Sequence, residues 1–439
     1  MQQYKQEWFG NIRGDILAGI VVCLALFPEV IGFMIVAGVP PIVGVYATFF
    51  ITAIAAFFGS SKGMISAAAG SVALVLAHLV AEYGIQYLFA ATILAGILQV
   101  ALGSLKVGTL MRYIPKPVMT GFVNGLGIMM FTSQLDHFQG SLLLPLLGLL
   151  GIAIIFLFPR ITKKIPAPIV AILVITGIVL GFGLDVKTLG DMGSISTDLP
   201  RFGIPAVPMK LETLRIIFPT ALSVAIVGLV ESLLTAQLVD EITEEKSDKN
   251  QETLSQGLGN VVSGFFGGIA GCGMIGQTII NLNYGGLGRL ATFLSGFFML
   301  LSVVLLNGSV VQIPVVALAA VMVVVSIETI NWDSIKRLRT NPKNESFAMI
   351  LTVAIVIGTH NLAYGVVAGT LVSAVFAAFK MSHLHVATGT ADDDRHYKVD
   401  GHLYFASAEK FLDFFAEEIE QEEEIVIDIS AMTLWDSTA

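Results

Sequence analysis

Glu231 and Thr235 stand four residues apart in an apolar stretch, so on a helix they share one face. A carboxylate and a hydroxyl in that register can hold a proton or ligate a sodium ion; alternatively, a protonated Glu231 ties two helices together by hydrogen bonds. An ionisable side chain deep in an apolar helix is costly, and by default it marks an ion or substrate path. Glu29 poses the same question in another apolar stretch. It follows Pro28, which is expected to interrupt the span at Phe27-Pro28-Glu29 by removing a backbone donor and freeing a carbonyl, so its carboxyl serves either coupling or the kink.

Two runs of small residues add a second kind of chemistry. Ser66-Ala67-Ala68-Ala69-Gly70-Ser71 leads into a short apolar piece, and Gly267-Gly268-Ile269-Ala270-Gly271-Cys272-Gly273 precedes Met274. If each opens a helix toward one cavity, the free N–H groups and dipole ends make an anion site without a basic side chain. The alternative is that glycine and alanine only allow close helix packing. Their matching third places in the two halves of the chain favour the shared site. Gln277 and Thr278 follow the second run and either face the cavity or pack, as do Asn124 and Ser133. Cys23 and Cys272 read as small buried hydrophobes.

The elements that must position these residues are membrane spans. With 439 residues, 55% hydrophobic and 13% charged, and a mean hydropathy of +0.82, the chain has too little polar surface to close a soluble globule. Apolar runs recur at 15–38, 40–58, 72–80, 87–102, 118–131, 142–158 and 168–182. After a polar stretch, 184–213, they resume at 214–239, 254–266, a broken segment behind the glycine run, 290–306, 315–327, 346–357 and 362–379. The segment after Asp15 is therefore the first of many spans and not a signal peptide. This predicts an all-α polytopic membrane protein with fourteen transmembrane segments in residues 1–380, a first repeat at about 12–183 and a second at about 214–380.

Loop charge gives the orientation. Lys62, Lys106, Arg112, Lys116, Arg160, Lys163, Lys164, Lys246, Lys249, Arg289, Lys336, Arg337, Arg339, Lys343 and Lys380 fall on the side of the N-terminus, against Lys187, Arg201, Lys210 and Arg215 opposite. The positive-inside rule then puts both termini in the cytoplasm, with the body in the inner (plasma) membrane. The net charge of -9 sits largely in the tail, and no nucleic-acid partner is expected. No Walker A motif, nucleophile triad or metal cluster is present, so the sequence offers no ATP drive, no enzyme chemistry and no cofactor beyond a coupling Na+ or H+.

Beyond Lys380 the composition turns soluble. A linker through Asp392 and Asp394 leads to a strand, turn and strand at 397–405, a helix at 408–419 and a buried strand at 424–429. So short a piece is thin for an independent core. Residues 393–439 therefore read as a partial α/β domain, truncated or reduced.

Several motifs carry a family resemblance: Phe27-Pro28-Glu29, Gly38-Val39-Pro40-Pro41-Ile42-Val43-Gly44-Val45-Tyr46, Glu231 through Asp240, Gln256-Gly257 with Asn260, Gly267-Gly268, and Gly285-Gly286 before Arg289-Leu290. Together they resemble the SulP anion transporters, bacterial relatives of the animal SLC26 proteins. The tail, with 401–405 and 426–432, is similar to the opening of a STAS domain.

The resemblance implies two inverted sevens folded into a core domain (segments one to four and eight to eleven) and a gate domain, in a homodimer. It implies a small inorganic or carboxylate anion, sulfate, bicarbonate or fumarate, bound by Ser71, Val72 and Ala73 on one side and Gly273, Met274 and Ile275 on the other. It further implies a sodium role for Glu231 and Thr235 and a proton-coupling role for Glu29. Many members have arginine where Gln277 stands, which moves charge compensation onto a cotransported cation. Met274 and Ile275 make the pocket less polar than in some relatives. A nucleobase permease of the same fold, an anion channel, or a membrane scaffold acting through the tail are the competing readings.

Overall fold

The computed structural model describes residues 2–109, 114–162, 166–192, 199–382, 384–388, 396–421 and 426–439. Arg112, Lys163, Lys164, Asp392, Asp394 and the first two positions of the strand expected at 424–429 lie outside them. The first half holds α1 (Gln2–Phe9), α2 (Ile12–Ala37), α3 (Pro41–Phe58), β1 (Ser66–Ala68), α4 (Gly70–Tyr83), α5 (Ile85–Ser104), α6 (Lys116–Gln134), α7 (Leu143–Leu157) and α8 (Ala167–Phe182). The second holds α9 (Leu211–Thr243), α10 (Lys249–Phe265), β2 (Gly271–Gly273), α11 (Ile275–Asn283), α12 (Arg289–Val310), α13 (Val315–Thr329), α14 (Trp332–Lys336), α15 (Lys343–Thr359) and α16 (Leu362–Met381). The tail is β3 (His385–Thr388), β4 (His396–Leu403), α17 (Phe405–Gln421) and β5 (Val426–Leu434).

Local signals explain several boundaries. The Asn11 side chain caps α2 by accepting from the Gly14 amide, and Gly38, at φ 70°, closes it in the left-handed conformation that glycine adopts without strain. Pro28 does not interrupt α2, contrary to the expected break: a proline deletes one ladder bond, and the 26-residue helix carries on past it. Pro40 and Pro41 open α3, where a missing N–H costs nothing. Among the described residues, six helical stretches are long and apolar enough to cross a membrane. They are α2, α3, α5, α9, α16 and Leu143–Arg160, which extends α7 by one turn; α13 with the bent segment after it makes a seventh. The protein is an all-α polytopic membrane protein with a small β-containing tail.

The helices pack in two groups. In one, α10 lies on α5 and α3, α12 on α2 and α3, and α9 on α5 and α4; in the other, α6 packs with α13, α15 and α16, and α7 with α8 and α13. A continuous core joins them, with Leu26, Met34, Leu76, Phe122, Ile175 and Met322 fully buried. Outward-facing Leu149, Leu173, Phe182, Leu305 and Leu371 are more than 60% exposed, the inverted pattern of a surface that meets lipid.

The N-terminal helix is clamped to the first group. Arg289 donates to the Glu7 carboxylate at 2.8 Å and to the carbonyls of Ala56 and Gly59 at 2.9 and 2.8 Å. Lys62 stands 3.5 Å from Glu7 and 2.9 Å from Glu245, and Trp8 is buried against Phe57.

Two strand features depart from expectation. The run 66–68 is no mere lead into a helix: β1 pairs antiparallel with β2, Ser66 opposite Gly273, Ala67 opposite Cys272 and Ala68 opposite Gly271. Where water is excluded, the extended leads of two broken helices satisfy their backbone groups on each other.

In the tail, 397–405 is not a strand, turn and strand. β4 is one strand with a register shift between Lys398 and Asp400 and Gly401 at φ 136°, and α17 follows at once. It pairs with β3 on one side, upstream of 393, and with β5 in parallel on the other. β5 is mostly exposed, not buried; α17 covers the β4 residues Tyr397 and Val399 with its Phe415.

Candidate functional site

Because β1 and β2 run antiparallel, α4 and α11 leave their ladder from opposite ends. Ala69 and Met274 are the residues just before the two helices, and neither has a side-chain cap, so the first amides of each helix depend on a partner from outside. Some amides expected at the site are already engaged. Ala73 donates to Ala69 O at 3.0 Å, Gly273 to Ser232 Oγ at 2.9 Å, and Met274 to Ile65 O at 2.8 Å. Ser71, Val72 and Ile275 lie in the first turns, whose amides have no acceptor within the helix. Gly276, which the sequence did not single out, is in the same position; it is exposed, and a Cβ there would meet nothing within 4 Å. Val72 and Ala73 are fully buried and Ser71 is 1% exposed, whereas Ile275 is half-buried and Gly276 exposed.

Glu231 closes the cradle from α9. Its carboxylate accepts from the Ser71 hydroxyl and, at 3.1 Å, from the Cys272 thiol. One carboxylate thus touches both half-helix units. Thr235 shares its helix face but not its partners: its hydroxyl donates to Glu231 O at 2.8 Å and Gly273 O at 3.1 Å. The two residues therefore converge on β2 without a mutual side-chain bond. Carboxylate, serine and threonine hydroxyls and a carbonyl are all oxygen donors, the set a hard cation takes.

Glu29 and Gln277, read separately in the sequence, meet here: the Gln277 carboxamide donates to the Glu29 carboxylate, joining α2 to α11. Thr278 is engaged by the Ile65 amide at 3.0 Å, and Asn124 lies elsewhere, between α6 and α14. A cavity of about 1070 Å³ lies beyond Val239, lined by Glu7, Lys62, Asp240, Lys246 and Leu282, apart from Ser71, Glu231 and Met274.

Gln256 and Asn260, which the sequence offered only as part of a family motif, together with Glu252 hold the ladder in place. Asn260 of α10 accepts from the Gly271 amide at 2.8 Å and donates to Gln99 of α5 at 2.8 Å, while Gln256 donates to Ser66 at 2.7 Å and to Glu252 at 2.9 Å. Glu252, fully buried, accepts from the Ser60 and Ser61 amides. Their signal was available: Glu252, Gln256 and Asn260 recur at helical spacing on one face.

Residues 12–143 and 141–352 match the sulfate permease family, and residues 385–439 match the STAS domain. The chain belongs to the sulfate permease family. Among this permease's relatives is YbaR of Bacillus subtilis, which carries a provisional name as a sulfate transporter; it is 51% identical over 438 residues, 99% of this chain and 91% of that protein. The bicarbonate transporter BicA of Picosynechococcus is 28% identical over 422 residues, 88% and 73% of the two chains. The solved transmembrane domain of a cyanobacterial BicA matches at a TM-score of 0.73 and 24% identity, covering 83% of this chain and 98% of that one. Murine Slc26a9 in the inward-facing state matches at 0.83 and 17%, covering 97% and 82%. At these identities the structural matches establish the permease's fold.

Proposed function

We propose that this permease is a secondary transporter of a small anion, sulfate, bicarbonate or a dicarboxylate such as fumarate, driven by cotransported Na+ or H+. The observation that carries this is the Glu231 carboxylate bonded to Ser71 of one half-helix unit and Cys272 of the other. An anion at the Ser71, Val72, Ile275 and Gly276 amides gains the dipole ends of two helices but meets the Glu231 charge. A cation or proton at Glu231 removes that repulsion, so anion and cation favour each other's binding, which is the thermodynamic content of symport. Oxygen atoms of Glu231, Ser71 and Thr235 are the groups for Na+; Glu29, bridged to Gln277, is the second place for a proton.

The sulfate and bicarbonate in the relatives' names support a small anion as the substrate class. In this reading fourteen segments form two inverted sevens, the α2–α5 and α9–α12 group carries the site, and the remaining helices form the gate against which it moves in an elevator-like step. The permease works as a homodimer in the plasma membrane with both termini cytoplasmic, an orientation supported by loop charge.

The test is uptake of labelled sulfate, bicarbonate and fumarate into proteoliposomes under imposed Na+ or H+ gradients. Gradient-dependent accumulation of one anion is the expected result. Absence of accumulation for all three, or uncoupled current that follows voltage, defeats the reading.

A further inference from the structure

The α13–α14 elbow carries a cluster outside the Glu231, Ser71 and Cys272 site. The chain bends by 47° between Val315–Thr329 and Trp332–Arg339. Asn124 of α6 holds the bend, accepting from the Asn331 amide at 2.7 Å and donating to Ser334 at 2.9 Å. Between the elbow, the start of α6 and the start of α15 lies a cavity of about 390 Å³, lined by Lys116, Thr120, Asn331, Ser334 and Arg337 together with the acids Asp333 and Glu345.

Charge around it is unbalanced. Lys336, Arg337, Arg339 and Lys343 face two acids between 332 and 345, and Lys116 adds a fifth base from α6. Asp333 pairs with Lys336 at 3.2 Å. Among the described residues no ion pair occupies Lys116, Arg337, Arg339 or Lys343.

Large apolar side chains flank this cluster. Trp332 is 51% exposed and Ile335 44% on the elbow, Phe347 52% and Ile350 53% on α15. Uncompensated bases with hydroxyl and amide donors beside exposed aromatic and aliphatic side chains, at the end of a span, are the chemistry of the headgroup level of a bilayer. A soluble anion would use the bases and donors but not the apolar flank.

We propose that the elbow binds the phosphate of an anionic phospholipid headgroup, with Lys116 and Arg337 as its direct partners and Trp332 and Ile335 beside the acyl chains. The test is native mass spectrometry of the full-length protein in detergent, titrated with phosphatidylglycerol or phosphatidylcholine. The wild type is expected to take phosphatidylglycerol preferentially. K116Q/R337Q should weaken that binding about thirtyfold for the two charges removed. K116R/R337K should retain most of it, and Lys106→Gln should leave it unchanged. An unfolding profile for each variant separates loss of the site from loss of the fold. Equal uptake of the two lipids, undiminished binding in folded K116Q/R337Q, or displacement of the lipid by millimolar inorganic phosphate would each overturn the proposal, the last by making the site one for a free anion.

Discussion

Glu231, Ser71 and Cys272 make one hydrogen-bonded unit, and each member predicts a different defect. Glu231→Gln keeps the shape and removes the charge, so uptake should lose its response to the driving gradient. Comparing initial rates with and without the gradient decides this, and a wild-type response in the variant would end the coupling role. Cys272→Ala removes one donor to the carboxylate, and a bond of that kind is worth about 1 kcal/mol or somewhat more, so apparent substrate affinity should fall several-fold while Cys272→Ser stays near wild type. Glu231 was legible in the sequence because a carboxyl in an apolar helix is anomalous wherever it stands. Cys272 was not: a thiol among small residues looks like packing until the carboxylate it points at comes from another helix. Gln277 was legible as polar, but its pairing with Glu29 depends on how α11 docks on α2, which spacing along the chain does not encode.

The close pairing of β1 with β2 depends on glycine at position 271. A Cβ on Gly271 would run into the Ala67 carbonyl across the ladder, whereas one on Gly276 would enter open space. Gly271→Ala should therefore cost about 1–3 kcal/mol, read as a lower unfolding temperature in detergent, and should abolish transport. Gly276→Ala should fold as well as wild type, so any loss of uptake there reports on the substrate's path. The helices themselves were readable, since apolar runs and proline or glycine ends mark them independently of context. Three-residue strands were not, because so few positions carry no period-two signal, and the glycines that permit pairing equally permit helix packing. The continuity of β4 escaped for a related reason: Gly401 looks like a turn, while pairing with β5 carries the strand on to Leu403.

The clamp on α1 ties the start of the chain to a loop of each half. Burial pushes the Glu7 carboxyl up, but the Arg289 hydrogen bond and charge, with Lys62 nearby, outweigh it and hold Glu7 below its ordinary value. A carboxyl depressed on folding contributes stability above its unfolded pKa, about 4.3, and loses it as the pH falls through the lower folded value. Acidification below about pH 4.3 should therefore loosen α1, seen as a change in Trp8 fluorescence or faster proteolysis near the N-terminus, and Glu7→Gln should show the loosened state already at pH 7. Membrane class and family were plain from composition and motifs. The packing of helices into two groups was not, since every apolar run looks equally ready to face lipid or protein.

β1 and β2 are distant in sequence, and a membrane protein is threaded into the bilayer from its N-terminus as it is made. When Ser66, Ala67 and Ala68 emerge from the ribosome, the strand that completes their hydrogen bonds has not been synthesised, and it arrives only after α9 and α10. The cradle is thus assembled late, by insertion of a second strand against one that has been waiting. A nascent chain arrested before Gly271 should leave Ala67→Cys open to a thiol reagent, and one arrested well beyond α11 should protect it.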